Sequence, residues 1–231
     1  MNSGTRRVSE MATRMQGYRP VTGDDFPANS IGGQRFNTLD DLAGKIDLHG
    51  SKMAQEKGAA KAATNAKSAW LLSIRRQMKV MKETMISCEP QQPGVSQNFN
   101  MPSSNSAESI VEAARAFIAT GTTMKALFLS REMPENFLEV LTDTIQSYEE
   151  AVNDYNLHSA NRAAARAMLD DVCSQVLAVR GELDPIIRNK YRNDPEKLSL
   201  WETASHLEKP PRRSAPAEPG NGSQPPAGGQ A

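Results

Sequence analysis

Histidines and carboxylates are the first candidates for chemistry in this chain, because two of its three histidines follow a carboxylate by four residues. Asp154 precedes His158 and Glu202 precedes His206, while His49 stands far from both. Within a helix each pair lies on one face and could supply half of a metal site. Neither pair belongs to a zinc-type motif, and the paired Glu-x-x-His helices of di-iron bundles are absent. We therefore predict polar contacts for these pairs, with no metal, no cofactor and no catalytic residue.

Nucleophiles and nucleotide-binding loops give no further candidate. Cys88 lies near a predicted helix end and Cys173 lies on an apolar helix face, so both are interpreted as structural thiols. The sequence contains no Gly-x-Ser-x-Gly, Walker-type or dinucleotide fingerprint, and the pair Gly32-Gly33 predicts only a turn. Two cysteines do not form a disulfide framework, which favours a reduced, cytoplasmic setting. We predict that the protein is not an enzyme.

One segment, residues 70–85, combines apolar and basic residues on a helical period. This pattern is typical of helices that bind membranes, phosphate backbones or grooves in partner proteins. The alternative is an ordinary bundle helix whose basic face meets an acidic helix of the same chain, and we favour it, so that neither nucleic acid nor membrane is expected as a partner. The residues of this basic segment are Trp70, Leu71, Ile74, Met78, Met81 and Met85, with Arg75, Arg76, Lys79 and Lys82.

The composition agrees with a non-membrane, all-helical protein. The 231 residues include 27 Lys or Arg and 27 Asp or Glu, so the formal charge is zero and gives no overall preference for anionic partners. No apolar run reaches the length of about 18 residues that a transmembrane helix needs. The N-terminus, with Arg6, Arg7 and Arg14, lacks the apolar core of a signal peptide, which again favours the cytoplasm.

Two long stretches should form the scaffold that positions any functional surface. In both of them apolar residues recur in steps of four and three. That spacing keeps side chains on one stripe of a helix, so both stretches should be long amphipathic helices. The first stripe contains Leu39, Leu42, Ile46, Met53, Ala60, Ala63, Trp70, Ile74 and Met81. The second contains Leu141, Ile145, Tyr148, Val152, Tyr155, Leu169, Cys173, Val176, Leu183 and Ile187.

Caps and breakers set the predicted boundaries. Thr38, Asn105 with Glu108, and Asp194 before Pro195 provide start signals, and Pro134 suits a first helical position. Gly50 and Gly58 indicate a kink or break, and Asp184-Pro185 indicates a kink or restart. The predicted organisation is an N-terminal arm over residues 1–35 with a short helix, a bundle over 36–208, and a disordered Pro/Gly-rich tail over 209–231. Within the bundle we predict helices at 38–87, 106–131, 134–191 (kinked near 181–185) and 195–207.

Charge predicts how the two long helices pair. Residues 45–82 hold nine basic and two acidic side chains (9 − 2 = +7), whereas residues 132–154 hold seven acidic side chains and no basic one. An antiparallel arrangement brings these stretches together and should place Arg75 and Arg76 near Glu150 and Glu149, and Lys82 near Asp143. The predicted fold class is therefore all-α: an elongated helical bundle with two long antiparallel helices in coiled-coil-like packing.

Several stretches resemble an uncharacterised bacterial family of all-helical proteins that has no established activity. They run from Asp25-Phe26-Pro27-Ala28-Asn29-Ser30-Ile31-Gly32-Gly33-Gln34 to Trp201-Glu202-Thr203-Ala204-Ser205-His206-Leu207-Glu208 and include Ala113-Ala114-Arg115-Ala116-Phe117, Met133-Pro134-Glu135-Asn136-Phe137, Glu182-Leu183-Asp184 and Arg188-Asn189-Lys190-Tyr191. Pro185 departs from the pattern expected of the group. The resemblance implies a cytoplasmic bacterial helical protein and no particular activity.

These observations lead to one functional hypothesis and two alternatives. The main hypothesis is a non-enzymatic structural or protein-interaction bundle that binds a protein partner or a second copy of itself, because long stripes of this kind mediate helix pairing. The first alternative is a metal- or ligand-binding bundle enzyme built on Asp154/His158 or Glu202/His206. The second is a membrane or nucleic-acid binder that uses the basic segment 70–85.

Overall fold

The computed structural model describes residues 3–208, and within that range every regular element is helical and no strand occurs. This confirms the all-α fold class, with two long helices that pack against each other. The predicted tail, residues 209–231, lies outside the described residues. Six α-helices are described: α1 Ser3–Tyr18, α2 Ile31–Ile86, α3 Ala107–Thr123, α4 Lys125–Leu129, α5 Phe137–Lys190 and α6 Pro195–Ser205. Short 3₁₀ segments cover Arg19–Asp25 and Val95–Asn98.

The described residues form two compact units, and both long helices contribute to each of them. The first unit combines residues 3–40 with residues 176–208, and so contains α1, the start of α2, the end of α5 and α6. The second unit spans Asp41–Gln175 and contains the rest of the two long helices with α3 and α4.

In the first unit, helix α1 lies within the predicted N-terminal arm, residues 1–35, where we expected a short helix, and this helix is packed. Helix α1 buries Val8, Met11, Ala12, Met15 and Tyr18, a spacing that places all five on one face. This face lies against α6, where the rings of Tyr18 and Trp201 approach to 5.3 Å between centroids. The apolar side chains of α1 thus contribute to the core of the first unit.

Helix α2 begins seven residues before the predicted start at Thr38. The Ser30 hydroxyl accepts the backbone N–H of Gly33 at 3.0 Å and so caps the helix. A Cβ on Gly33 would overlap the carbonyl of Pro27, which explains why the chain has glycine at this close approach. Thr38 instead lies inside the helix and donates to the Gln34 carbonyl at 2.9 Å. Gly32-Gly33 belongs to the first helical turn rather than to a separate turn.

Neither long helix is broken at the positions where we predicted a kink, break or restart. Helix α2 is continuous through Gly50 and Gly58, and α5 is continuous through Gly181 and Pro185. The Asp184 carboxylate, which we expected to cap a new helix, is held by other side chains, since it accepts Trp201 Nε1–H at 3.0 Å. Tertiary contacts therefore outweigh the local cost of proline and glycine in these helices.

Helices in the second unit also begin at residues other than those predicted. Ser106, not Asn105, caps α3 by accepting the N–H of Ser109 at 3.3 Å. The predicted helix 106–131 is divided at Met124 into α3 and α4. Helix α5 starts at Phe137 rather than at Pro134, after Glu132 adopts a positive φ of 62°. Residues with good capping side chains therefore did not by themselves locate the helix starts.

The core of the second unit is aromatic at its centre. Phe99, from the connection between α2 and α3, packs edge-on against Phe117 at 5.2 Å and Phe128 at 5.4 Å. Phe128 and Phe137 approach to 4.8 Å. The stripe of α2 that contains Met78 continues this core, which extends along α5 to Ile145. Helices α3 and α4 therefore cover only the later part of α2 and the earlier part of α5.

Contacts within the second unit confirm that α2 and α5 are antiparallel. Glu56 faces His158, the ammonium group of Lys67 lies 4.2 Å from the ring centre of Tyr155, and Gln77 Nε2 donates to Thr144 Oγ1 at 2.9 Å. Residue numbers thus fall along α5 as they rise along α2. The predicted register placed Gln77 opposite residue 148, so the observed pairing is displaced by about one turn.

Candidate functional site

The displaced register changes the contacts of the basic segment 70–85, and the predicted ion pairs to Asp143, Glu149 and Glu150 are wrong. Arg75 donates to Asn105, while Glu149 pairs with Arg115 of α3 at 2.5 Å because α3 occupies that side of α5. Lys79 pairs with Glu83 of its own helix at 3.6 Å. In the described chain Arg75, Arg76 and Lys82 form no ion pair.

The first carboxylate–histidine pair is rearranged in the structure. His158 Nδ1 lies 2.7 Å from Glu56 Oε2 on the facing helix, so its partner is Glu56 and not Asp154. Across the described residues, no group of three or more His, Cys, Asp or Glu side chains is arranged to hold a metal ion. The Glu56–His158 contact therefore links α2 to α5 and has no third ligand beside it.

The second pair lines an open groove of about 500 Å³ in the first unit. Glu202 accepts Arg188 Nη1–H at 3.1 Å, so its carboxylate is directed to Arg188 rather than to His206. Arg14 donates to the backbone carbonyl of His206 at 2.6 Å and lies 3.9 Å from Glu208. The other lining residues are Ser199 and Thr203. The groove is polar, and its charged groups are already engaged with one another.

A polar network that sequence reasoning missed lies elsewhere in the first unit. Asp25 accepts hydrogen bonds from Tyr191 Oη at 2.8 Å and Lys197 Nζ at 2.9 Å. The ammonium of Lys197 also lies 4.5 Å from the Tyr191 ring centre. Hydrogen bonds from Lys197 and Tyr191 lower the pKa of the Asp25 carboxyl. The three residues are separated by up to 172 positions, so no local spacing could have revealed them.

Tyr191 in this network and Tyr18 beside it are both held in the neutral form. Burial, reinforced by the negative charges of Asp194 and Asp25, raises the pKa of Tyr18 to about 12. Burial and the hydrogen bond to Asp25 also raise the pKa of Tyr191. A raised pKa opposes phenolate formation, so these tyrosines stabilise the fold rather than act as bases.

Asp184 anchors α6 to the end of α5. Burial opposes ionisation of this carboxyl, but hydrogen bonds from Trp201 and Arg188 and the charges of Arg188 and Arg180 outweigh it, and the pKa is lowered. Arg188 lies 2.9 Å from Asp184 and also contacts Glu202. The carboxylate therefore stays ionised as the acceptor for the fully buried Trp201.

Both cysteines are buried free thiols, and the burial of Cys173 agrees with its predicted place on an apolar helix face. Burial, with the nearby charge of Asp170, raises the pKa of the Cys173 thiol to about 11. Cys88 Sγ lies 3.5 Å from the Thr84 carbonyl and 3.4 Å from Arg131 Nε, without access to solvent. A thiol without access to solvent is poorly placed to react, so neither position has the environment of a reactive cysteine.

Exposed apolar side chains lie on the long helices where α2 and α5 have few buried residues between them. We define the two-helix segment as residues 45–70 of α2 with residues 150–175 of α5. Between 48 and 70 the buried residues are only Ala60 and Ala63, and between 150 and 168 they are only Ala151 and Ala165. Leu48, Leu157 and Met168 remain 61%, 57% and 57% exposed there. Single exposed apolar side chains are ordinary, whereas three on one two-helix segment make it a candidate binding surface.

A second stripe on each helix collects these exposed side chains. Both stripes step by threes and fours and are distinct from the seams that join α2 to α5. We name them the second stripes: on α2, Lys45, Leu48, Lys52, Gln55, Ala59, Ala62 and Ala66; on α5, Glu150, Asp154, Leu157, Asn161, Ala164, Met168, Asp171 and Gln175. The helical spacing of these residues is visible in the sequence. A search for apolar periodicity does not find it, because about half of the residues in the second stripes are polar or charged.

Comparison with known proteins adds no assignment to these surfaces. The chain matches no protein-family model, no curated protein and no solved structure. Among the described helices, none has an apolar stretch that could cross a membrane.

Proposed function

We propose that this protein is a non-enzymatic helical-bundle protein that works by binding protein through the second stripes of its two-helix segment. The observation that carries the proposal is the exposure of Leu48, Leu157 and Met168 on a pair of helices whose own seam is lined by alanine. Apolar stripes at helical spacing are the usual means by which helices bind helices. The expected partner is therefore a helical protein surface or a second copy of the chain.

The chemistry of the other candidates supports this choice. The Glu56–His158 and Glu202/His206 pairs each lack a converging third ligand in the described chain, and the tyrosines near Asp25 are kept neutral. The two buried thiols and the resemblance to bacterial helical proteins favour a bacterial, cytoplasmic setting for the interaction.

Affinity capture from the native host tests the proposal. The bait is the full chain, compared with the double variant Leu157→Glu/Met168→Glu, which places two charges in the second stripe of α5. We expect a protein, or an untagged copy of the chain, to be retained by the parent and lost from the double variant, because a buried unpaired charge disrupts an apolar interface.

A matched control carries the same charge change outside the second stripes. Leu72→Glu/Val80→Glu alters two exposed positions of α2, so retention should be unchanged. Retention of no protein by the parent, or equal retention by both double variants, would contradict the proposal.

A second candidate function, binding to anionic surfaces, is favoured by one observation. Arg76 and Lys82 form no ion pair in the described chain and alternate with the exposed Leu72, Val80 and Ile86. These two cations alone would release few counterions, so binding by this face should be weak at physiological salt. Co-sedimentation with phosphatidylserine vesicles and titration with duplex DNA separate the candidates, since salt-sensitive binding that Leu72→Glu/Val80→Glu abolishes would support the second one.

A further inference from the structure

We infer that the partner of the second stripes is a second copy of this chain, and that the two copies pair with a two-fold axis parallel to the long helices. In this arrangement α2 of one copy lies against α5 of the other along the two-helix segment. The inference rests on the proposed function, which requires that the second stripes bind protein, and it adds the identity and orientation of the partner.

The second stripes of α2 and α5 lie on the same side of the helix pair. On α2 the second stripe runs one position before the buried seam, as Ala59 precedes Ala60. On α5 it also runs one position before the seam, as Ala164 precedes Ala165. Offsets of the same sign fall on the same side when two right-handed helices face each other antiparallel. The two stripes therefore form one continuous face.

The register brings the exposed apolar residues of this face together. At the three cross-helix contacts the residue numbers of α2 and α5 sum to 214, 222 and 221, with a mean of 219, so residue 48 lies opposite about residue 171 and within a turn of Met168. By the same count residue 59 lies opposite about residue 160, within a turn of Leu157. The face thus has apolar side chains at two levels, separated by the small and polar residues Gln55, Asn161 and Ala164.

Charge is divided between the two helices of this face and selects the partner. The second stripe of α2 contains two lysines and no acidic residue, and the second stripe of α5 contains three acidic residues and no basic one. A face that is basic along one helix and acidic along the other complements itself when a two-fold axis parallel to the helices sets α2 against α5. A two-fold axis perpendicular to the helices would instead oppose lysines to lysines.

One cross-copy pair follows from the same register. Residue 45 lies opposite about residue 174 and within a turn of Asp171, so Lys45 of each copy faces Asp171 of the other. Lys45 and Lys52 form no ion pair within the described chain, nor does Asp171, which accepts a hydrogen bond from Gln175 at 2.8 Å. These groups are therefore available to an intermolecular pair.

The area sets the strength of the association. Residues 45–66 span about 33 Å of helix, and two helices side by side are about 20 Å wide, which gives about 650 Å² per copy. Stable complexes bury about 800 Å² per partner. We expect a reversible dimer with a dissociation constant on the order of 10 µM.

Sedimentation velocity of the purified full chain tests the dimer. We expect parent protein to be mostly dimeric at about 100 µM, and Leu157→Glu/Met168→Glu to bind itself at least about tenfold more weakly. The control Leu72→Glu/Val80→Glu should match the parent, and circular dichroism verifies that all three retain their helix content. A parent that stays monomeric up to about 100 µM would overturn the inference.

A mixing experiment tests the orientation. Lys45→Glu opposes glutamate to Asp171 in its own dimer, and Asp171→Lys opposes lysine to Lys45, so each variant alone should dimerise about tenfold more weakly. The equimolar mixture should recover parental affinity, because both cross-copy pairs are then of opposite charge. A mixture no tighter than either variant would overturn the orientation.

The outcomes also separate this inference from the proposed function. If the purified parent is monomeric while affinity capture retains a different protein through Leu157 and Met168, the second-copy inference fails and the proposed function stands. If neither association occurs, both fail.

Discussion

The polar side chains in the interior of the first unit form hydrogen bonds that hold its elements together. Asp25, Tyr191 and Lys197 connect three elements of the first unit through charge-assisted hydrogen bonds of 2.8–2.9 Å. Trp201 is completely buried, yet its single polar atom is satisfied by Asp184. Polar groups in such positions fix one packing arrangement, because the buried ring would otherwise lose its only hydrogen bond.

Tyr18 provides a test at this scale. Its folded-state pKa of about 12 lies above the ordinary value of 10, so its contribution to stability is complete below about pH 10 and is lost as the pH rises towards 12. We expect the free energy of unfolding to fall less between about pH 9 and pH 11 in Tyr18→Phe than in the parent. Denaturant titrations at both pH values measure it, and equal losses in the two proteins would contradict the assignment.

For single residues, the sequence predicted correctly what depends on neighbours within the same helix, and it did not predict contacts with residues far away in the chain. The burial of Cys173 follows from its place on an apolar stripe, whereas the place of Cys88 near a helix end did not predict its burial. The partner of His158 did not follow, because Glu56 lies 102 residues away and the choice between it and Asp154 depends on helix register. The contacts of Asp25 likewise depend on how distant elements meet.

At the scale of elements, helix starts depend on contacts as much as on caps. Ser30 caps α2, and the glycine three residues later allows the helix to approach Pro27. Thr38 has an equally suitable side chain but lies within the helix. The choice between two good caps is decided by the packing of Phe26, whose ring lies 5.7 Å from that of Phe36.

Two glycines of α2 should respond in opposite ways to alanine. Gly33→Ala places a methyl group against the backbone of Pro27 and should lower the free energy of unfolding by about 1–3 kcal/mol. Gly44→Ala meets nothing within 4 Å and should raise it by about 0.5–1 kcal/mol, because alanine favours the helix interior. Thermal and denaturant unfolding measure both, and a destabilised Gly44→Ala would show that the helix surface is misassigned there.

Two prolines offer a similar contrast. Pro185 lies inside α5 and removes a backbone hydrogen bond, which costs about 3 kcal/mol in a helix interior, so Pro185→Ala should stabilise the protein by about 2 kcal/mol. Pro195 occupies the start of α6, where its missing N–H is not needed, so Pro195→Ala should lower stability by up to about 1 kcal/mol. Chemical denaturation distinguishes the two signs, and a destabilised Pro185→Ala would contradict the continuity of α5.

At the scale of the whole molecule, the fold class and the antiparallel sense of the long helices could be predicted from the sequence. Both depend on long stripes and on charge summed over many residues, which tolerate local error. The ion pairs could not, since a displacement of about one turn directs Glu149 to Arg115 instead of Arg76. The second stripes were missed for a different reason: their residues are mixed in polarity and become significant only once the first seam is known to be buried.

Amide hydrogen exchange of the purified chain as a function of concentration tests the central claim, that the second stripes bind a second copy of the chain. A pair of helices joined by alanines should open locally more readily than the aromatic core, so covering it with a second copy should slow exchange. Between about 1 µM and 100 µM we expect slower exchange within 45–66 and 150–175, and unchanged exchange within 76–86. Protection that is absent from the two-helix segment, or that appears only within 76–86, would contradict the account.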